Sequence, residues 1–231
     1  MSEEMNALDA ESKNSVQRLT QIYKALSEIN QAIVRMSDEA ELFPLICRVA
    51  VKFGGARMAW IGVHDADTDL IVPVQSYGSG IEYLDGIRIS IREDLPEGRG
   101  PSAVAFRENR AVYVNHYMRS PITGPWREQA QRFGWNSGGS FPITRGDRSY
   151  AVLSVYHADE DFFDAETVAL LEEISGDISF ALDNFDRERQ RQEALEALQT
   201  SERHFRAYFE RSMVGRRPSQ PAPARFQPTV R

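Results

Sequence analysis

Apolar residues recur along this chain at three kinds of spacing, and each change of spacing marks a change of element. From Leu19 the positions Leu19, Ile22, Leu26, Ile29, Ile33 and Met36 alternate three and four apart, the narrow seam of a helix that meets another helix. Ser37-Asp38 interrupts that seam and caps a second helix over 39–53, where Leu42, Leu45, Ile46, Val49, Ala50 and Phe53 form a broader, core-facing stripe ending at Gly54-Gly55. The period then becomes strand-like. Met58–His64 and Leu70–Tyr77, joined by the turn signal Asp65-Ala-Asp-Thr-Asp69, predict a hairpin. Further strands are predicted at Ile87–Ile91, Val112–Tyr117, Ser140–Ile143 and Tyr150–His157, with short helices at Ser102–Asn109 and Trp126–Phe133. The stretches 78–86, 93–100 and 121–125 read as loops from their Gly and Pro content.

A long helix closes the pattern, from a cap at Asp164 to about Ser212. Leu171, Ile174, Ile178, Ala181 and Phe185 give its first half an apolar seam, whereas beyond Arg187 the seam thins to Leu195 and Leu198 among Glu, Gln and Arg. The first half is a packing surface and the second a connector. Helix, helix, strands with embedded short helices, then one long helix is an α+β order, an antiparallel sheet with helices covering one face.

Composition narrows the class. An apolar share of 42% supplies one good core, and no run approaches the ~18 apolar residues of a membrane-spanning helix. The acidic amino terminus MSEEMNALDAESKN is unlike a secretory signal, so the expected location is cytoplasmic. A net charge of −7 argues against nucleic acid or an anionic membrane as partner, and the basic residues of 211–231, five Arg without an acid, are confined to that tail. The single cysteine, Cys47, lies on the apolar stripe beside Ile46 and Val49 and reads as a buried hydrophobe.

No catalytic set emerges. The four histidines, His64, His116, His157 and His204, are scattered and belong to no metal or hydrolase motif, so an enzyme is not expected. The glycine-containing GRGPSAVAF opens a helix, where backbone N–H groups can hold an anion, although turn geometry explains the same glycines.

Several segments are familiar as a set: RMAWIGVHDADTD (57–69), YLDGIRISI (83–91), PEGRGPSAVAFRENRAVYVNH (96–116), PWREQAQRFGWNSGGSFPI (125–143) and FFDAETVALLEEISGDISFALDNFDRE (162–188). With them the chain resembles a GAF domain, of the type placed before PAS and diguanylate cyclase modules in bacterial sensory proteins. SERHFRAYFERSMVG (201–215) resembles the opening helix of a PAS domain. The resemblance divides the chain into a disordered start (1–14), a coiled-coil helix (15–37), a GAF-like domain (38–186), a signalling helix with the start of a PAS-like segment (187–215) and a disordered tail (216–231). It implies an antiparallel sheet of five or six strands, with the amino- and carboxy-terminal helices on one face, often in a dimer bundle, and a ligand pocket on the other.

The resemblance also bears on chemistry. Family members that reduce free methionine sulfoxide need several cysteines, and this chain has one. Cyclic-nucleotide binders carry Asn-Lys after the last strand, then Phe, then Asp-Glu; here Tyr156-His157 and Thr167-Val168 replace both pairs and Phe163 alone is kept. A bilin needs a cysteine near the pocket roof, whereas Cys47 precedes it. His116 and His157 are the candidates for haem, but no haem motif accompanies either, so the expected cofactor is none.

What remains at the roof is a set of aromatics and cations, Trp60, Tyr83, Arg99, Trp126, Arg127 and Trp135, suited to an anionic or planar small molecule. The competing reading packs the Trp residues into a small core and pairs the Arg residues with Glu97 or Glu128. The expectation is a noncatalytic sensor of a small molecule, homodimeric through its terminal helices and coupled to a downstream output domain. The alternative is a purely structural dimerisation module without a ligand.

Overall fold

The computed structural model describes residues 20, 23–24, 27–31, 33 and 35–214. The expected disordered ends and the seam positions Leu19, Ile22 and Leu26 lie outside the described residues. The chain forms two units that divide after Phe185.

In the first unit, helix α1 (Glu39–Lys52) begins where the sequence placed a cap: the Asp38 carboxylate accepts the Glu41 N–H at 3.0 Å. Five strands follow: β1 (Met58–Asp65), β2 (Leu70–Gly78), β3 (Val112–Val114), β4 (Ser137–Arg145) and β5 (Arg148–His157). They form one antiparallel sheet in the order β2-β1-β5-β4-β3. The β1–β2 turn is held by Asp65, whose carboxylate accepts from the Asp67 N–H at 3.0 Å and the Thr68 hydroxyl at 2.7 Å. The β4–β5 turn puts Gly146 and Asp147 at φ 58° and 61°, the left-handed pair that matches the twist of a two-residue hairpin.

Four stretches depart from the predicted pattern, three of them for an evident local reason. Ile87–Ile91 makes a single bridge, Leu70 with Ser90, rather than a strand, because its backbone is drawn to the β2 edge at few points: the Ile71 N–H donates to Ile89 and the Ile91 N–H to Asp69. Strand β3 stops at Val114 because Asn115 turns its amide to Phe163, bonding the backbone O at 3.1 Å and N–H at 2.9 Å. Strand β4 starts earlier than expected, at Ser137, and includes Gly138 and Gly139. A Cβ on Gly138 would lie 3.0 Å from the Tyr117 ring, and one on Gly139 2.8 Å from Phe163, so aromatic packing needs bare backbone in this strand. The stretch expected as loop at 121–125 is a 3-10 helix, Pro121–Trp126.

The sheet is covered on both faces. Against one lie α1 and the first part of the long helix, here α4 (Ala165–Val214), so that Ala59, Ile61, Phe141, Ile143, Leu153 and Val155 meet Leu42, Ile46, Leu171, Ile174, Ile178 and Ala181; α2 (Pro101–Glu108) and α3 (Arg127–Phe133) lie on the opposite face. Asp164 caps α4 by accepting the Thr167 N–H at 2.8 Å. Ile29, fully buried, with Ile33 and Met36 beside it, joins the same layer. Glu39 ties the start of α1 to the β4–β5 hairpin through Arg145 at 3.0 Å and the Tyr150 hydroxyl at 2.9 Å. At the far sheet edge, Pro73 removes an N–H from β2.

Cys47 is fully buried in this layer, and burial pushes its thiol up to about 12. The second unit, from Asp186, contains the remainder of α4 to Val214, along which Leu195, Leu198, Phe205, Tyr208 and Phe209 are exposed. Among the described residues no helix is long and apolar enough to cross a membrane.

Two outcomes follow from this layer. Ile174→Ala, which opens a hole where two helices meet the sheet, should lower stability by about 2–5 kcal/mol in urea unfolding. Cys47 should resist thiol reagents near neutral pH in the folded protein and react only as fast as the domain opens; rapid labelling without denaturant would contradict the burial.

Candidate functional site

The opposite face of the sheet is lined by the alternate residues of the same strands: Met58 and Trp60 from β1, Ser140 from β4, and Val152, Ser154 and Tyr156 from β5. Its roof is built from the short helices, whose lengths and caps follow from the sequence. Pro101 opens α2 at its first turn, where a missing N–H leaves no bond unmade. Gly134, at φ 71°, closes α3 and turns the chain so that Trp135 folds back beneath it.

Four of the six candidate residues meet here. Trp60 and Tyr83 are fully buried, Trp135 is 2% and Trp126 7% exposed, and all belong to one cluster with Tyr117 and Tyr156. The two cations stand elsewhere. Arg99 is exposed and its Nε donates to the Glu93 carbonyl at 3.0 Å. Arg127, half-buried at the start of α3, donates Nη2 to the Ser120 carbonyl at 2.8 Å and leaves Nε buried without a partner. Both guanidinium groups are thus held by backbone carbonyls, not by the Glu97 and Glu128 carboxylates considered from sequence.

Two polar groupings were missed. Tyr117 and Tyr156 complete a tyrosine cluster: the Tyr83 and Tyr117 hydroxyls are 3.2 Å apart, and the Tyr156 ring lies 5.1 Å from Tyr83 and 5.9 Å from Tyr117. Alternation along β5 carried a signal for Tyr156, since it falls on the same face as Ser154. The second grouping is a ring of three buried serines. Ser102 on α2 lies 2.8 Å from Ser140 and 3.2 Å from Ser154, which are themselves 2.8 Å apart. Each hydroxyl can donate to the next, so the ring is self-satisfied and ties the roof to the sheet centre. Nothing in the sequence links these serines, which are brought together only by sheet register and helix docking.

A cavity of about 10 Å³ remains between roof and sheet, bordered by Ile87, Ile89, Ser102, Tyr117, Trp126 and Tyr156. That is about one water sphere. Trp126 fills the adjoining space, with its Nε1 donating to the Arg88 carbonyl at 3.2 Å. Trp60 and Trp135 keep their indole N–H groups buried without an acceptor. Burial pushes the Tyr83 and Tyr117 hydroxyls well above their ordinary range, with the neighbouring Tyr156 adding to it, and raises Tyr156 likewise. The site is therefore neutral, aromatic and rich in hydroxyls. Among the described residues no group of three or more His, Cys, Asp or Glu is arranged to hold a metal ion.

A five-stranded sheet with helices on one face and a roofed aromatic cluster on the other is an arrangement with known counterparts. The chain matches the GAF domain family model over residues 36–183 and belongs to that family. A comparison with curated proteins finds no match. Among solved structures it is similar to a free methionine-R-sulfoxide reductase from Neisseria meningitidis in complex with its substrate, at TM-score 0.60 and 16% identity over 72% of this chain and 91% of the other. It is also similar to the A. aeolicus nlh2 GAF domain in an inactive state (TM-score 0.56, 14% identity, 74% and 99% covered). A third is the GAF domain region of a putative membrane protein from Geobacter sulfurreducens PCA (0.50, 23%, 70% and 97%). At these identities the likeness is one of fold.

The tyrosine cluster sets a dependence on alkaline pH. Unfolded tyrosines ionise near about 10, whereas the buried ones hold their protons higher, so above that pH the folded state binds more protons than the unfolded. Their contribution is complete below about pH 10 and is lost as pH rises toward the folded values. Cys47 acts in the same direction, from a lower starting pH. The urea midpoint should therefore fall between about pH 9 and about pH 11, and Tyr156→Phe should make the fall shallower; an unchanged slope would place Tyr156 outside the coupling.

Proposed function

We propose that this GAF domain is a noncatalytic, small-molecule-sensing module of a bacterial signal-transduction protein. In this reading it passes ligand state through α4 to a downstream output domain of PAS, diguanylate cyclase or kinase type. The observation that carries the reading is the covalent continuity of α4. Its first part supplies Leu171, Ile174, Ile178 and Ala181 to the domain core, and the same helix runs on to Val214 with Leu195, Leu198, Phe205 and Phe209 exposed. Those four are three, seven and four residues apart, the phase of a heptad seam in which Glu202 takes the intervening position. A seam of this kind, weakened by a charge, favours pairing of two copies through their helices in a contact that a few kcal/mol can shift.

Two other readings are less supported. A structural dimerisation module without a ligand is favoured by the small cavity, about 10 Å³. A reductase like the Neisseria protein would need a reactive thiol, and the single Cys47 is buried with its thiol pushed up to about 12.

Light scattering on the whole chain should give twice the chain mass; a monomer at tens of micromolar would remove the helix-paired dimer. In a chimera with a cyclase or kinase output, deleting seven residues between Arg189 and Ala197 keeps the heptad phase and should keep ligand control. Deleting four rotates everything downstream by about 40° and should lock or abolish it. Regulation indifferent to both deletions would reduce the helix to a passive tether.

A further inference from the structure

The closed site indicates the kind of molecule it takes, an inference that rests on the sensing role proposed above. Trp126 is the roof residue that fills the space beside the cavity. Its ring lies against bare backbone: a Cβ on Gly100 would stand 2.3 Å from Cζ3 and 2.4 Å from Cη2 of the indole. Gly100 has φ −73°, which any residue adopts, so its lack of a side chain matters for this contact and not for the turn. The indole is tied by one hydrogen bond, to the Arg88 carbonyl. The backbone of its carrier, Pro121–Phe133, packs chiefly against the neighbouring short helices. The ring can therefore leave its seat without unmaking a strand ladder.

The polar groups around that seat are specific. Ser102, Tyr117 and Tyr156 border the cavity. The Tyr156 hydroxyl is near enough to Tyr83, Tyr117 and the Trp60 indole to interact with each, while the Tyr83 and Tyr117 hydroxyls bond one another at 3.2 Å. Charge is absent from the cavity lining among the described residues. Arg99 is bonded to Glu93 and Arg127 to Ser120, while Arg107 donates to the carbonyls of Gly98 and Ile91. An ion brought into the cavity would lose its water and find no charged side chain in the lining.

We propose that Trp126 is a tethered stand-in for the ligand, which is an uncharged planar heteroaromatic of one or two rings, its ring N–H directed to the Arg88 carbonyl and a carbonyl or ring-nitrogen acceptor to Tyr156. With the indole displaced, the vacated space is on the order of the ~150 Å³ apolar cavities that take up a benzene-sized ring. The wild-type affinity is lowered by the small fraction of molecules in which Trp126 is out, as for any ligand that selects a minor state.

Calorimetry on the full chain tests this with four probes: indole, a quinolone whose carbonyl lies opposite its ring N–H, indolecarboxylate as the anion and tryptamine as the cation. Trp126→Ala should bind indole roughly tenfold more tightly than wild type does, because the displacement step is gone. Gly100→Ala, which retains the indole but pushes it from its seat, should also bind more tightly than wild type and serves if Trp126→Ala does not fold. The quinolone should exceed indole in the variants, and Tyr156→Phe should reduce that margin. Equal indole affinity in wild type and both variants would overturn the stand-in role, as would no probe binding to the folded variants. An anion or cation bound as tightly as indole would overturn the uncharged class. These results with ligand control of the chimera intact remove this inference alone; a chimera deaf to every ligand removes the sensing role itself.

Discussion

Strand β5 is buried on both of its faces, and the rest of the domain is arranged to make that possible. From Ala151 to Tyr156 every residue is buried. Ala151, Leu153 and Val155 face the two helices, and Val152, Ser154 and Tyr156 face the roof. A strand in this position cannot use the usual contrast of apolar inside and polar outside. Its two faces differ instead in chemistry. One is aliphatic and meets helices by packing alone; the other carries hydroxyls, which the roof must satisfy. The serine ring and the tyrosine cluster are the means of doing so, and they place the polar centre of the domain beneath the roof.

That division explains which parts of the fold could be read from the chain. The helical face was legible because α1 and α4 repeat their apolar residues at regular steps, and the caps at Asp38 and Asp164 lie where the pattern begins. The α+β order follows from these and from the turn residues between strands, and the GAF arrangement from the resemblance carried by the quoted segments. The limits of β4 were hidden by Gly138 and Gly139, which read as a break in sequence but form a flat bed for two aromatic rings. The segment Ile87–Ile91 has strand composition without strand pairing, because composition reports on side chains while pairing depends on whether the backbone runs alongside an edge.

The site was legible in its aromatics and not in its polar order. Trp60, Tyr83, Trp126 and Trp135 are large enough that a small domain has few places for them, so their convergence under the roof follows from burial. Arg99 and Arg127 shared the same segments in sequence, yet their guanidinium groups are held by nearby carbonyls of Glu93 and Ser120. A long cation beside a loop of unpaired carbonyls has local partners before it has distant ones. Ser102, Ser140 and Ser154 are the reverse case: unremarkable singly, they act as one group only after the sheet register and α2 have been fixed.

The edges of the sheet have a consequence for crowding. Strand β3 is only three residues long, and at the other end β2 carries Pro73 while Ile71 spends its N–H on Ile89. A neighbouring copy therefore has little main chain to zip against on either side, and open-ended stacking of sheet on sheet finds no template. Main-chain pairing between copies is thereby disfavoured at both edges of the sheet, which works against open-ended strand addition.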